Sequence, residues 1–394
     1  MIELLSFFIV LAAGLLFSEV FSRLHLPWVV ALIITGLIIG PFGLGFLEIN
    51  DTLQFLSQVG IIFLMFMAGL ESKLSNFKKI KKGVGIVAFL NGVIPFLVGM
   101  GVGIYFGYGW PASILLGSVF ISSSVAVVIP SLTMSKLLNT KVGQVTIAST
   151  IIEDVASLII LSVLLQIYNP ITSIPLPIFY ILLIVALIAL RLAIPKIQDK
   201  LLPRIFFLFG QKKEDLFQQE IRLVIVMLIG TVIFFEIIGL HPIIAGFFAG
   251  MILSDSISTR RLKEKLRVIS YGIFVPVFFV VIGAETNLAL LGQTKGAILL
   301  TVVIVSSSIL AKFLSGLLAG KLAGFKLSES SIIGASTIPQ LTTTLAVVFT
   351  GLTTGLFDQK LVAAMVILSL VTTLASPLLI SVLAKVRKRK LISI

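Results

Sequence analysis

The 394-residue chain contains no cysteine and only two histidines, His25 and His241. Without cysteine there is no disulfide, no thiolate nucleophile and no iron–sulfur ligation, and two histidines are too few for a histidine-based metal site. Charged residues make up only 12% of the chain, where a soluble domain carries about a quarter. No Walker A sequence occurs, which leaves ATP hydrolysis without support. Gly99, Gly101 and Gly103 miss the dinucleotide-binding spacing and lie in an apolar run, so they read as packing residues. The period-two alternation of an outer-membrane barrel is also missing. No enzyme class is indicated.

In place of these the chain offers apolar surface. Its hydrophobic fraction is 58% and its mean hydropathy +1.17. Runs of about 20 apolar residues recur, as an all-α polytopic membrane protein requires. Thirteen segments are predicted, at approximately 3–22, 27–46, 52–70, 83–106, 111–135, 142–167, 174–194, 218–238, 241–254, 268–285, 296–320, 328–350 and 360–384. The start, Met1–Ile2–Glu3, lacks a basic n-region, so the first run is expected to be a retained span.

Of the 30 lysines and arginines, 27 fall in or beside odd-numbered connections and the C-terminal tail. Only Lys295 and Lys360 lie on the even side, and Lys312 lies inside a span. The net charge of +13 is thus an orientation signal and not a nucleic-acid footprint. It predicts an outside N-terminus and a cytoplasmic C-terminus. The longest connection, about 195–219, joins halves of similar size, which predicts two inverted six-helix repeats with the seventh segment as linker. Corresponding segments support this. Ser122–Ser123–Ser124 with Pro130 interrupts the fifth, and Thr337–Ile–Pro339–Gln340–Leu–Thr342–Thr343 interrupts the twelfth. Hydroxyls can satisfy backbone groups that a proline frees, so both are predicted to be discontinuous helices that cross at mid-membrane.

The sixth segment carries adjacent acids, Glu153 and Asp154. At helical spacing Thr146, Thr150, Glu153, Asp154 and Ser157 form one polar stripe on an aliphatic helix. An acid at the bilayer centre costs about 2.5–3.5 kcal/mol even on a lenient scale, so the stripe must face protein, water or an ion. Carboxylate and hydroxyl oxygens from Asp154, Glu153, Ser123, Ser124 and Thr150 suit a hard monovalent cation, Na⁺ or K⁺, and protons compete for the same carboxylates. Lys312 shares its helix face with Ser308, Ser315, Gly316 and Gly320. A buried ammonium needs a carboxylate, and the acid pair is the obvious partner. Glu19 with Arg23 reads as a local pair, Glu71 as structural, Glu236 and Glu285 as solvated, and His241–Pro242 as a helix start.

These residues resemble the monovalent cation:proton antiporters, the sodium/hydrogen exchanger superfamily. The resemblance rests on Phe66–Met–Ala–Gly69–Leu70–Glu71, Ser122–Ser124, Glu153–Asp154, Pro276–Val–Phe–Phe–Val–Val–Ile–Gly283 and Lys312, and it covers nearly the whole chain. It implies Na⁺/H⁺ exchange by elevator-type alternating access, homodimerisation, no cofactor beyond the transported ions, and residence in the plasma or inner membrane. It also implies a division into scaffold helices at 1–82 and 218–290 and core helices at 83–167 and 291–394, with a linker at 168–217. Asp154 takes the place of the family's ion-carrying aspartate. Lys312 stands where electrogenic members keep a charge-balancing lysine that pairs with the first acid, here Glu153. Two departures stand out: Glu153 is longer than the usual occupant, and Pro339–Gln340–Leu341–Thr342 replaces the Pro–Arg–Gly–Glu of many relatives. K⁺/H⁺ exchange, an organic-anion symporter, a channel and an intramembrane aspartyl protease are the alternatives. The protease needs two aspartates facing one another from separate helices, which Glu153–Asp154 does not provide.

Overall fold

The computed structural model describes residues 2–23, 27–71, 81–172, 174–196, 219–254, 260–293 and 296–392. His25, Lys73, Lys78, Lys79, the 197–218 connection and Lys295 lie outside them, and with them much of the basic sequence behind the predicted orientation. The described residues form helices and turns, with no strand. In chain order the helices are α1 (Ile2–Arg23), α2 (Trp28–Ile39), α3 (Asp51–Glu71), α4 (Lys81–Tyr105), α5 (Trp110–Ile121), α6 (Val125–Met134), α7 (Lys141–Tyr168) and α8 (Leu176–Lys196). Next come α9 (Gln219–Ile238), α10 (Pro242–Leu253), α11 (Arg260–Ile269), a π turn (Ser270–Phe274), α12 (Val275–Glu285) and α13 (Ala289–Gln293). The last four are α14 (Ala297–Leu322), α15 (Leu327–Ser336), α16 (Thr342–Thr353) and α17 (Gln359–Ile392).

Among the described residues, nine spans are long and apolar enough to cross a membrane, Trp110–Met134 counting as one. Trp28–Ile39, Leu176–Leu190, Pro242–Leu253 and Thr342–Thr353 are shorter apolar helices. At 1.5 Å per residue a 12-residue helix such as α2 reaches about 18 Å, short of a hydrocarbon core of about 30 Å. Among the described residues, length and composition therefore identify nine candidate crossings, with four shorter apolar helices beside them, where thirteen segments are counted from the sequence. The second segment ends early, at Ile39 instead of 46, because Gly40 takes an extended conformation and Pro41 comes directly after it. The tenth begins early: the basic run expected as a connection is helical from Arg260. Fully buried Leu266 and the Arg267–Glu71 ion pair at 3.1 Å hold it down. His241 is the N-cap of α10 with Pro242 in its first turn, the helix start that the sequence predicts.

Both interruptions occur, at Ser122–Ser124 between α5 and α6 and at Thr337–Leu341 between α15 and α16. Pro339 lies in its break. Pro130 does not; it sits inside α6, where the hydroxyls of Ser131 and Thr133 bond to the carbonyls of Val127 and Ile129 at 2.7 and 2.8 Å. The run of three serines ends α5, and the proline belongs to the helix beyond it.

The chain divides into two compact units. One comprises Phe55–Lys73 and Ser162–Phe278; within it Gly69 and Gly250 let α3 and α10 touch, since a Cβ on either would collide with the opposing backbone oxygen. The other comprises Met1–Gln54, Leu74–Leu161 and Phe279–Ile394, and it holds both helix breaks, the acid pair and Lys312. There α14 lies flush against α15, because a Cβ on Gly316 would meet the Gly334 Cα at 2.7 Å and Thr337 Oγ1 at 3.0 Å. That contact sets the distance between Lys312 and the second break.

Gly316→Val is expected to cost about 1–3 kcal/mol through overpacking, read as a lower melting temperature of the detergent-purified protein. Gly101, whose Cβ position is open, provides the contrast: Gly101→Ala should leave that temperature unchanged or raise it, as Ala is about 0.5–1 kcal/mol better than Gly in a helix. Equal losses in the two variants would show that close approach at Gly316 is not what matters.

Candidate cation and proton site

The polar stripe of α7 is turned inward. Thr146, Thr150, Glu153, Asp154 and Ser157 are all buried, the most exposed being Asp154 at 4%. Ser157 anchors α7 to α5 by donating to the Ser118 carbonyl at 2.8 Å. About one turn back, Glu153 and Asp154 reach the break between α5 and α6.

The two acids have different surroundings. Glu153 is saturated with donors. Asn91 Nδ2 approaches Oε1 and Oε2 at 3.0 and 3.1 Å, Lys312 Nζ lies 2.9 Å from Oε2, and Ser123 Oγ lies 3.1 Å from the same oxygen. Asp154 has one hydrogen bond among the described residues, from Ser122 Oγ to Oδ1 at 2.9 Å. The Thr343 hydroxyl faces it without reaching hydrogen-bond geometry. Asp154 thus keeps lone pairs that no protein donor occupies.

Lys312 is wholly buried and makes further bonds to backbone. Its ammonium donates to the carbonyl of Ile121, the last residue of α5, and at 3.4 Å to the carbonyl of Asn91. The C-terminal end of a helix carries partial negative charge and unpaired carbonyls, so α5 stabilises the ammonium in addition to Glu153. Gln340 extends the same cap, its Nε2 lying 3.4 Å from the Phe120 carbonyl and 3.0 Å from Ser308 Oγ. Asp154 faces the opposite kind of end, at Thr343 in the first turn of α16, where partial positive charge suits an anion.

The breaks are joined directly. Ser124 N donates to the Pro339 carbonyl at 2.6 Å, and Ser123 Oγ to the Thr337 carbonyl at 2.8 Å. Thr337 Oγ1 lies within 3.4 Å of Asn91 Oδ1 and the Lys312 carbonyl. Several hydroxyls here are left over. Elsewhere in the chain buried Thr35, Thr301 and Thr350 return their hydroxyls to the carbonyl one turn back at 2.7–2.9 Å. Ser124, Thr146, Thr150, Thr343 and Thr344 do not, and their oxygens are buried without a partner, as are those of Ser57, Ser270, Ser336, Ser369 and Thr373. An orphaned buried oxygen costs about 1–3 kcal/mol, a cost that a bound cation or water would relieve.

The transmembrane sodium/hydrogen exchanger family model matches residues 7–386. The chain belongs to the sodium/hydrogen exchanger family. A probable Na⁺/H⁺ antiporter 3 of Methanocaldococcus jannaschii is 31% identical over 378 residues, covering 95% of each chain. The Na⁺/H⁺ antiporter of Enterococcus hirae is 26% identical and covers 96% of this chain and 97% of its own. The Na⁺/H⁺-K⁺ antiporter GerN of Bacillus cereus is 27% identical, covering 94% and 93%. In fold, the chain is similar to the sodium proton antiporter MjNhaP1 of M. jannaschii, with a TM-score of 0.73 at 19% identity over 98% of this chain and 99% of that one.

Within this exchanger-family fold, the candidates named from sequence meet in one place: Asp154, Glu153, Ser123, Lys312, Thr337, Pro339 and Gln340 are joined through the contacts above, and Thr343 faces Asp154 with its hydroxyl unpartnered. Ser124 and Thr150 lie buried beside them as unpartnered hydroxyls. Two residues that sequence reasoning does not place in the site also touch the acids. Ser122 reads in the sequence only as part of the break, although it holds Asp154. Asn91 is missed altogether; its one signal is a lone amide in the middle of the apolar fourth segment.

Glu153→Gln or Lys312→Met alone should each destabilise the protein by about 3–5 kcal/mol, because each strands a buried charge. The double variant should recover part of that loss. Chemical denaturation in detergent measures it, and additive losses would show that the two groups do not depend on each other.

Proposed function

We propose that the protein exchanges a monovalent cation for protons across the membrane, with Asp154 as the ion-carrying group. The observation that carries this reading is the contrast between the two acids. Glu153 is fully engaged by Asn91, Lys312 and Ser123, whereas Asp154 has one serine donor and faces the start of α16. A buried carboxylate with free lone pairs must take a proton or a cation to be neutral, and it cannot hold both. That competition couples the two fluxes without further machinery. Ser122 orients the carboxylate. Thr150, Ser124 and Thr343 are the hydroxyl oxygens that would replace part of the ion's hydration shell, and an all-oxygen set suits Na⁺.

Alternating access results if the core helices at 83–167 and 291–394 move against scaffold helices at 1–82 and 218–290, which also form the homodimer contact. Joining α5–α6 to α15–α16 through Ser124 and Pro339 makes the two breaks travel together with the acid pair in such a motion. The full plan is thirteen crossings of the plasma membrane in two inverted repeats. The N-terminus lies outside and the basic C-terminus inside, as the lysine and arginine distribution requires. K⁺ is the alternative cargo, the weaker reading, since the relatives described above are Na⁺/H⁺ antiporters and only GerN among them is named for K⁺ as well.

In proteoliposomes, Na⁺ addition against a proton gradient should collapse that gradient. Asp154→Asn is expected to abolish the response while leaving the melting temperature close to wild type. Na⁺-driven proton movement surviving in Asp154→Asn would overturn the assignment. Titrating Na⁺, K⁺ and Li⁺ in the same assay decides the cargo.

A further inference from the structure

Asn91 is wholly buried in α4 and bonds to three other parts of the site. Its amide nitrogen spans both oxygens of Glu153, at 3.0 and 3.1 Å. Its side-chain oxygen accepts from Ser315 Oγ at 2.7 Å and lies 3.4 Å from Thr337 Oγ1. Its backbone carbonyl accepts from Lys312 Nζ at 3.4 Å. The carboxylate of Glu153 only accepts, so the NH₂ end of the amide faces it, and Ser315 supports that orientation by donating to Oδ1, its hydroxyl lying also 3.2 Å from the Lys312 carbonyl. Asn91 and Lys312 therefore present only donors to Glu153. Ser123 has a single proton for two acceptors, Glu153 Oε2 at 3.1 Å and the Thr337 carbonyl at 2.8 Å.

This arrangement selects one charge state. An ammonium and an amide NH₂ match a carboxylate, because an O–H on it would stand against N–H donors. The Lys312 ammonium is matched in turn by Glu153 and by the carbonyl at the end of α5. To reach the cation near Asp154, Glu153 would have to leave Lys312 and both contacts to Asn91, stranding a buried ammonium. We propose that Asn91 is a positioning residue that keeps Glu153 locked to Lys312 through the transport cycle, so that only Asp154 changes its load. The proposal rests on the exchange reading above. The balance is simple: Asp154 as a neutral acid and Asp154 as a carboxylate with one bound cation carry the same net charge. Exchange is then one cation for one proton and moves no net charge, unlike the electrogenic exchange implied by a lysine at this position.

The test is a null-point measurement in proteoliposomes with the membrane potential clamped at zero. A Na⁺ gradient is imposed, and the opposing pH difference that stops net proton flow is found. A tenfold Na⁺ gradient is balanced by about one pH unit for one proton per cation, and by about half a unit for two. The wild type should null near one unit. Asn91→Leu should move the null toward half a unit as Glu153 and Lys312 gain the freedom to release a second proton, and Asn91→Gln should return it part of the way. Ser315→Ala, which removes only the hydroxyl that orients the amide, should shift the null in the same direction and decides the matter if Asn91→Leu does not fold. A wild-type null at half a unit, or variants that lose stability with the null fixed at one unit, would overturn the role given to Asn91. Absence of any proton flow driven by Na⁺, K⁺ or Li⁺ in the wild type would overturn the exchange reading itself, a separate outcome.

Discussion

The centre of this protein depends on neutralising one ammonium where no water can reach it. Lys312 has no exposed surface, and an unpaired charge in such a place costs several kcal/mol. The surrounding helices supply the answer in two parts. Glu153 provides the opposite charge at 2.9 Å, and the broken end of α5 provides a carbonyl and its share of the helix dipole. The break in α5 is thus more than an interruption. An unbroken helix would have used that carbonyl internally and left Lys312 with one partner fewer.

Because Glu153 is committed to Lys312, its neighbour on α7 can be left almost bare. Adjacent residues on a helix point about 100° apart, so Glu153 turns toward α4 and α14 while Asp154 turns toward Ser122 and the start of α16. One acid stabilises and the other remains available. The unpartnered hydroxyls of Thr150, Ser124 and Thr343 accompany the available one. The two acids thus differ in how many donors reach them, and ion chemistry belongs to the one with fewer.

The glycine contacts serve the same end. Gly316 lets α14 approach α15 closely enough for Thr337 to reach the Lys312 carbonyl and Asn91. The two helix breaks are stitched to each other through Ser124 and Pro339. Packing of this kind has few soft modes, so a force on one break is transmitted to the other and to the acid pair.

Much of this was legible in the chain itself. Apolar runs and scarce charge determined a helical membrane protein. The inward stripe of α7 and the position of both helix breaks also came from residue order, since a polar group in hydrocarbon must find protein, water or an ion wherever the chain goes. The resemblance implied that Lys312 pairs with the first acid, Glu153; what residue order could not decide was that Pro130 would sit inside α6 while the serines alone end α5. Nor does it single out Asn91 or Ser122. Those outcomes turn on which donors four separate helices bring within about 3 Å of each carboxylate oxygen, a distance that no spacing along a single helix encodes.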